Sequence, residues 1–475
     1  MSTEAEPSER SRAVAWLVAA VFFIQLLDGT ILVTSLPQMA ASFGTDAVAL
    51  GIGFTVYLLT MAGLIPLAGW LADRLGAREI LVAAVLGFAA ASVLCGLSTS
   101  LEGFVVARAL QGAAAALMMP VGRNLVLQST PKSGVMAAVA TITWPALTAP
   151  VVGPFVGGWI TTHFGWQWNF YVNVPLCVAA AVLFLALVPR QPRPEPRPFD
   201  WLGFLLVSGA MVLVVAGLET FVAGHAAPGA GLLATGLASG WLSVRHLRRA
   251  RVPLVGLDVL AVRSFALATL AAGTFGRIAV NATPFLLPLL LQVGFGMSAV
   301  ETGSLVLVYF LGNLAMKSVT TPLMRRFGFR RVLIVNGALL AATIGAFAVI
   351  PADLARAPLL ALLFAAGAAR SLQFTALNTL AFADIGPAER SAATTLSSMF
   401  QQAAMVLGVA LAVAAVRFAQ LMNGGGGDPV VADLRPAFAA MALVAAASAV
   451  RFLGLDPASG DEVAGRGRSV TGGQA

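Results

Sequence analysis

The chain has 475 residues, of which 59% are hydrophobic and only 11% are charged. A soluble globular protein of this length could not cover such a surface with polar groups, so the composition excludes that class. The formal net charge of +8 does not indicate a nucleic-acid partner, because the basic residues fall in short loops between apolar runs, as in membrane proteins that follow the positive-inside rule.

Runs of about 18 or more apolar residues recur along the chain, and each is long enough to cross a bilayer. They predict fourteen membrane-spanning helices, near residues 14–36, 48–70, 80–98, 103–127, 134–161, 170–189, 201–219, 229–246, 264–292, 300–322, 331–350, 357–382, 393–418 and 435–455. With the N-terminus in the cytoplasm, nearly all basic loop residues lie on the cytoplasmic side. Both termini are therefore predicted to be cytoplasmic.

A short charged stretch is repeated in the two halves of the chain. GWLADRLGAREIL (69–81) aligns with TPLMRRFGFRRVL (321–333). The aligned pairs are Arg74 with Arg326, Gly76 with Gly328, and Arg78 with Arg330. A repeated hinge between membrane-length runs is typical of a transporter that is built from two related bundles.

The repeat predicts how the chain is divided. Spans 1–6 correspond to spans 9–14, and spans 7 and 8 are inserted between them. The predicted regions are a cytoplasmic tail (1–13), a six-helix bundle (14–189), a linker with two inserted spans and a basic loop (190–263), a second six-helix bundle (264–455) and a cytoplasmic tail (456–475). The fold class is thus an all-α polytopic membrane protein.

Four further motifs occur in the first half. They are LDGTILVTSLP (27–37), RALQGAAAALMMP (108–120), APVVGPFVGGW (149–159) and WQWNFYVNVP (166–175). With the hinge they resemble, in order and over nearly the whole chain, the fourteen-span drug:proton antiporters of the major facilitator superfamily, the multidrug-resistance exporters. Ala114 and Ala149 stand where that family often has glycine.

Asp28 lies about 14 residues into an apolar span, roughly 21 Å from the inner face of the bilayer core. A charged carboxylate at that depth costs several kcal/mol, so we expect Asp28 to bind a proton readily. A packing or helix-capping role is the alternative. The family resemblance also implies proton or cation binding by the acid of this motif.

Arg108 lies roughly 9 Å from the outer face, at a depth close to that of Asp28. An intramembrane arginine needs a partner or water, so we expect the two residues to interact and to couple protons; a static structural pair is the alternative. The resemblance similarly implies a role in proton coupling for this arginine.

Several deep residues are candidates for a substrate cavity. The charged or polar ones are Gln111, Arg277, Asn281 and Arg370, and the aromatic one is Trp144. For Arg277 a local hydrogen-bonded role remains open, and for Trp144 core packing remains open.

The fifth span carries a series of helix-bending or small residues, Pro150, Gly153, Pro154, Gly157 and Gly158. Small residues let a neighbouring helix approach closely. The resemblance identifies this stretch as the antiporter motif, and we expect it to seal and pivot during the transport cycle.

The hinge predicts gating at the cytoplasmic side. Asp73 can cap a neighbouring helix or pair with a basic residue, Arg74 and Arg78 can face lipid phosphates, and Gly69 and Gly76 flank the turn. For the two arginines, a role in topology alone is the alternative.

Nothing in the sequence resembles a nucleotide site, so the energy source is expected to be an ion gradient. We predict a proton-coupled antiporter in the bacterial inner membrane that exports lipophilic drugs or related amphiphiles by alternating access and contributes to antibiotic resistance. Protons, lipids and a lipophilic substrate are its expected partners. No enzyme activity, cofactor, metal or nucleic acid is expected. A periplasmic adaptor with an outer-membrane channel, a carrier for one metabolite, and a non-transporting scaffold or sensor remain open.

Overall fold

A computed structural model describes residues 9–130, 135–190, 198–222, 224–386, 389–424 and 429–460. Throughout these residues the regular secondary structure is helical. This follows from the apolar composition, since a segment inside a bilayer must pair its own backbone groups and a helix does so within one segment.

The helices follow one another with short connections. They are α1 (Glu9–Ile31), α2 (Leu36–Phe43), α3 (Gly51–Leu75), α4 (Ala77–Leu97), α5 (Leu101–Ser129), α6 (Val135–Phe164), α7 (Trp168–Tyr171), α8 (Asn173–Leu187), α9 (Trp201–Val222), α10 (Ala226–Leu247), α11 (Arg263–Thr269), α12 (Ala272–Leu289), α13 (Ala299–Phe347), α14 (Arg356–Ala383), α15 (Arg390–Met422) and α16 (Val431–Arg451).

Eleven helical stretches of the described chain are long and apolar enough to cross a membrane. One of them, Ala299–Phe347, contains both predicted spans near 300–322 and 331–350. The predicted spans near 134–161 and 229–246 correspond to α6 and α10, which are not among the eleven. The count of fourteen spans and the cytoplasmic termini therefore stay predictions.

The chain forms two compact units. Unit 1 comprises Met1–Leu254, Leu287–Leu307 and Val409–Leu434, and unit 2 comprises Val255–Leu286, Val308–Gly408 and Arg435–Ala475. In unit 1, α1 packs against α5, α6 and α8, and α4 packs against α5 and α8. In unit 2, α11 packs against α14. The division of the chain into five regions, with boundaries at residues 190 and 263, stays a prediction. Parts of these regions, residues 1–8, 191–197 and 461–475, lie outside the described residues.

The repeated hinge has the same local structure in both copies. Gly76 separates α3 from α4 with φ 103°, and Gly328 interrupts α13 with φ 76°. Both values lie in the region that favours glycine, because a Cβ would be strained there. Gly76 and Gly328 therefore each allow the chain to turn sharply between two long helices.

The arginine two residues after each of these glycines contacts the end of another helix. Arg78 Nη2 donates to the Leu185 carbonyl oxygen at 2.6 Å, and Arg330 Nη2 donates to the Leu453 carbonyl oxygen at 2.7 Å. The last carbonyls of a helix lack intrahelical donors and carry a partial negative charge. Arg78 thus binds the C-terminal end of α8, and Arg330 binds the short 3-10 turn (452–454) that follows α16. Neither role was predicted from the sequence.

The helices α9 and α10 pack closely through glycines. A Cβ added at Gly217, Gly229 or Gly236 would lie 2.5–2.8 Å from backbone nitrogens of the partner helix. Asp200 joins the start of α9 to the end of α10, which is the end of this pair that is predicted to be cytoplasmic. Its carboxylate accepts hydrogen bonds from the Gly203 amide at 2.8 Å, the Leu254 amide at 3.0 Å and the His246 ring at 2.7 Å.

These three bonds set the proton affinity of Asp200. Burial raises the pKa of the carboxyl, but the hydrogen bonds from Gly203, His246 and Leu254 outweigh burial, so the pKa lies below its ordinary value. A folded-state pKa below the unfolded-state value means that the carboxylate stabilises the fold above about pH 4, and that this contribution disappears as the pH falls through the folded-state pKa.

We predict that Asp200→Ala lowers the stability of the purified protein by about 1 kcal/mol at pH 7, because α9 loses its N-terminal cap. Thermal unfolding in detergent measures this. The difference from the native chain should shrink as the pH falls below about 4. Asp353→Ala, at an exposed loop position, is the control and should unfold like the native chain. Equal unfolding of Asp200→Ala and the native chain at pH 7 would contradict the prediction.

Candidate functional site

Asp28 of α1 accepts hydrogen bonds from three side chains. Arg108 Nη1 donates to Oδ2 at 2.9 Å, Gln111 Nε2 donates to Oδ1 at 2.9 Å, and Asn173 Nδ2 donates to Oδ1 at 2.7 Å. Every one of these contacts treats the carboxyl as an acceptor. An ionised carboxylate, which only accepts hydrogen bonds, can take all three.

Two of the donors lie on one helix. Arg108 and Gln111 are three residues apart on α5, a spacing that places them on one face, and Arg108 Nη1 also donates to Gln111 Oε1 at 2.5 Å. The Arg108 guanidinium lies 4.1 Å from the centre of the Tyr57 ring. The ring face attracts the cation, so Tyr57 helps to hold the guanidinium in place.

The Ser92 hydroxyl of α4 holds the Gln111 amide in position. Ser92 Oγ accepts from Gln111 Nε2 at 2.9 Å and donates to the Phe88 carbonyl oxygen at 2.8 Å. Sequence analysis missed both Ser92 and Asn173. Each is a polar residue within an apolar run, and that pattern could have marked it as a candidate. The sequence has many such residues and does not show which of them face Asp28.

The Asp28 cluster (Asp28, Arg108, Gln111, Ser92 and Asn173) is removed from solvent. The side chains of Asp28 and Arg108 are 1% and 0% exposed. Removing water from two charges is costly, and their mutual attraction compensates only where the remaining polar atoms are bonded. Loss of one partner would leave an uncompensated buried charge, which costs about 3–5 kcal/mol in measured cases.

The structure thus brings the two predicted proton-coupling residues into direct contact. It also places Gln111 differently from the expectation: Gln111 was a candidate for the substrate cavity, but it is fully buried and bonded to Asp28. Trp144 lies in α6, and its side chain is outside the described residues.

The antiporter motif of α6 packs tightly on α1 immediately after Asp28. A Cβ at Gly153 would overlap the Thr30 side chain, and a Cβ at Gly157 would overlap the Ile31 carbonyl oxygen. On another side of α6, a Cβ at Gly158 would overlap the Ala299 carbonyl oxygen. These glycines let α6 touch the backbones of both α1 and the start of α13, as the small residues of the motif predict.

Two polar contacts within unit 1 join segments that are far apart in sequence. The Arg417 guanidinium of α15 forms an ion pair with Asp46, which follows α2. Gln292 Nε2 donates to the Thr34 carbonyl oxygen at 3.1 Å. Neither contact was predicted from the sequence.

The remaining candidates of the second half lie in unit 2. Arg277 is 1% exposed and donates to the Ala268 carbonyl oxygen and to Asn378 Oδ1, at 2.5 and 3.0 Å. Both bonds lie within unit 2, and a role of Arg277 in the substrate cavity stays a prediction. Arg370 lies over the Phe310 ring at 5.6 Å, and Asn281 is half-buried in α12.

At the first hinge copy, Arg74 lies over the Trp70 ring at 5.2 Å. Asp73 makes no ion pair with the described residues of the chain. Gly69 has open space around it. In the second copy, Arg326 lies over the Phe327 ring at 5.4 Å. The gating role of this hinge therefore stays a prediction.

The helical fold and the buried charged cluster define a polytopic membrane protein of the transporter class. The sequence profile of the Major Facilitator Superfamily matches residues 18–280 and 269–472. The chain belongs to this superfamily, whose members are transporters and not enzymes.

Curated relatives agree with this assignment. A protein named "Putative multidrug resistance protein MdtD" from Klebsiella pneumoniae (strain 342) is 36% identical over 406 residues, 84% of each chain. A protein of the same name from Shigella sonnei (strain Ss046) is 34% identical over 419 residues, 86% of each chain. These findings confirm the resemblance to multidrug-resistance members of the superfamily.

Solved structures share the fold. The POT family transporter PepTSo superposes with a TM-score of 0.68 at 15% identity, over 93% of this chain and 97% of the other. A mutant of the nucleoside transporter NupG gives a TM-score of 0.66 at 13% identity, over 93% of this chain and 99% of the other. At these identities the likeness is one of fold.

We predict that Gly157→Ala destabilises the protein by about 1–3 kcal/mol, because the added methyl meets the Ile31 backbone and overpacks the α1–α6 contact. The midpoint of thermal unfolding in detergent measures the effect. Gly231→Ala in α10 is the matched control: its added Cβ meets no atom within 4 Å, so it should keep or raise the midpoint. Equal midpoints for the two variants would show that the α1–α6 contact tolerates a side chain.

Proposed function

We propose that the chain is a proton-coupled antiporter that exports lipophilic drugs or related small amphiphiles by alternating access. The observation that carries the proposal is the Asp28 cluster, a buried carboxylate bonded to Arg108, Gln111 and Asn173. Ionisable residues inside a membrane are costly and typically mark proton relays or substrate pathways. The names of the relatives support drugs as the substrate class.

Protonation of Asp28 changes the charge balance of the cluster. The ionised carboxylate attracts the Arg108 guanidinium at 2.9 Å. A neutral carboxyl can still accept a hydrogen bond but carries no charge, so Arg108 would lose its ion pair and keep its contacts with Gln111, the Gly53 carbonyl and the rings of Tyr57 and Phe54. A proton taken up from the outer side would favour return to the inward-facing state, and its loss inside would permit the next substrate to bind.

The packing around Asp28 gives this change a route to the rest of unit 1. Thr30 and Ile31 follow Asp28 on α1 and contact Gly153 and Gly157 of α6. On another side of α6, Gly158 contacts the start of α13. A movement of α1 on protonation would therefore be transmitted through the antiporter motif. The ion pair of Asp46 with Arg417 would close the outer side and break in the outward-facing state.

An ion gradient can supply the energy. Each proton that moves down a membrane potential of 100 mV yields about 2.3 kcal/mol.

The proposal includes the bacterial inner membrane as location, fourteen spans with both termini in the cytoplasm, a role in antibiotic resistance, and a cytoplasmic gate at the repeated hinge. Participation of a periplasmic adaptor with an outer-membrane channel is a separate question that pull-down from membranes would answer.

We predict that lipophilic drugs added to energised proteoliposomes cause a pH change that depends on Asp28. A pH-sensitive dye measures the change for the native chain, for Asp28→Asn and for Asp353→Asn, an exposed acid outside the cluster. The signal should disappear in Asp28→Asn and persist in Asp353→Asn. The compounds should include neutral and weakly acidic lipophiles, since Arg277 and Arg370 are deep cations without a carboxylate partner among the described residues.

The other outcomes separate the alternatives. A signal that survives Asp28→Asn would place the coupled proton elsewhere. A native chain that responds to no lipophile but to one metabolite would be a carrier for that metabolite. A folded chain without any response would contradict transport altogether.

A further inference from the structure

Asn173 is the one amide of the Asp28 cluster that has an unused acceptor. Its Nδ2 donates to Asp28 Oδ1 at 2.7 Å and lies 3.5 Å from Ser92 Oγ. Its Oδ1 is buried and has no hydrogen-bond partner among the described residues. A buried amide oxygen without a partner costs free energy, so its retention at this place calls for a use.

The neutral form of Asp28 needs an acceptor that the ionised form does not. A protonated carboxyl has one O–H donor, and a donor buried without a partner is costly. Arg108 cannot accept a hydrogen bond. Gln111 Oε1 already accepts from Arg108 at 2.5 Å and lies 3.6 Å from Cys95 Sγ, while Gln111 Nε2 is held by Ser92. Gln111 would have to break these bonds in order to turn.

Asn173 can turn at lower cost. Half a rotation of its amide group exchanges Nδ2 and Oδ1. Oδ1 has no bond to lose, and Nδ2 gives up its bond to Asp28 and its long 3.5 Å bond to Ser92 Oγ. We propose that Asn173 is a positioning residue that serves both protonation states of Asp28, donating to the ionised carboxylate and accepting from the protonated carboxyl. The inference rests on the proposed function, in which Asp28 takes up a proton.

The ionisable groups around Asp28 do not provide a competing acceptor for its proton. They are Arg108 from α5, Tyr57 from α3, Cys95 from α4 and Cys177 from α8. None of the last three is hydrogen-bonded to Asp28, and no described ionisable side chain of α6 or α7 is bonded to it. The amide of Asn173 is thus the neighbouring group that can either donate to Asp28 or accept from it.

Infrared difference spectroscopy of the purified protein tests the proposal. The carbonyl band of a protonated carboxyl appears as the pH is lowered, and the band that is absent in Asp28→Asn belongs to Asp28. The test variant is Asn173→Leu, which has the same branched arrangement of side-chain heavy atoms and no hydrogen-bonding group. The matched control is Asn169→Leu in α7, because Asn169 is also buried but donates to Ser35 and Thr161 instead.

We expect the Asp28 band to move to higher wavenumber in Asn173→Leu, because the protonated carboxyl loses its acceptor, and to keep its position in Asn169→Leu. Asn173→Ser, whose hydroxyl can donate and accept, should move the band back toward the native position. If Asn173→Leu does not fold, as judged by size-exclusion chromatography, Asn173→Val is the second variant.

An Asp28 band at the native position in Asn173→Leu or Asn173→Val would overturn the inference and leave the proposed function intact. A native chain with no Asp28-dependent band at any pH would instead overturn proton uptake by Asp28, and with it both proposals. A shift of equal size in Asn169→Leu would show a general effect of polar loss and would also overturn the role of Asn173.

Discussion

The buried ion pair of Asp28 with Arg108 is the interaction on which the account depends. Both side chains are almost completely withdrawn from solvent, so neither charge is stable there without the other. Gln111, Ser92 and Asn173 satisfy most of the remaining hydrogen-bonding capacity. A cluster whose charges depend on one another in this way is sensitive to a single proton, and that sensitivity is what a coupled transporter requires.

The helices around the pair are packed closely against one another. Glycines at positions 153, 157 and 158 bring α6 against the backbones of α1 and α13, and packed helix backbones do not deform gradually. A small shift of α1 would therefore displace α6 rather than be absorbed by side chains. Within unit 1, Arg78 of the hinge holds the C-terminal end of α8, and within unit 2, Arg330 holds the turn that follows α16.

Much of this was predictable from residue type and spacing. The rise per residue places Asp28 and Arg108 at similar depth, so their contact was predicted, and the glycines of the repeat predicted the turns at Gly76 and Gly328. The partners of Arg78, Arg330 and Arg417 were not, because each partner is more than 100 residues away and no local pattern identifies it. The contacts of Gln111 and Asn173 with Asp28 could not be predicted either. The rotation of each helix about its own axis decides which polar residue of a span faces the acid, and the sequence does not give that rotation.

The central claim is that Asp28 carries the coupled proton. Its most direct test is the number of protons that the purified protein releases into weakly buffered detergent solution when a lipophilic substrate binds. The account predicts release from the native chain near the pH at which Asp28 titrates, and none from Asp28→Asn, although that variant still binds substrate. Undiminished release from a folded Asp28→Asn chain would contradict the claim.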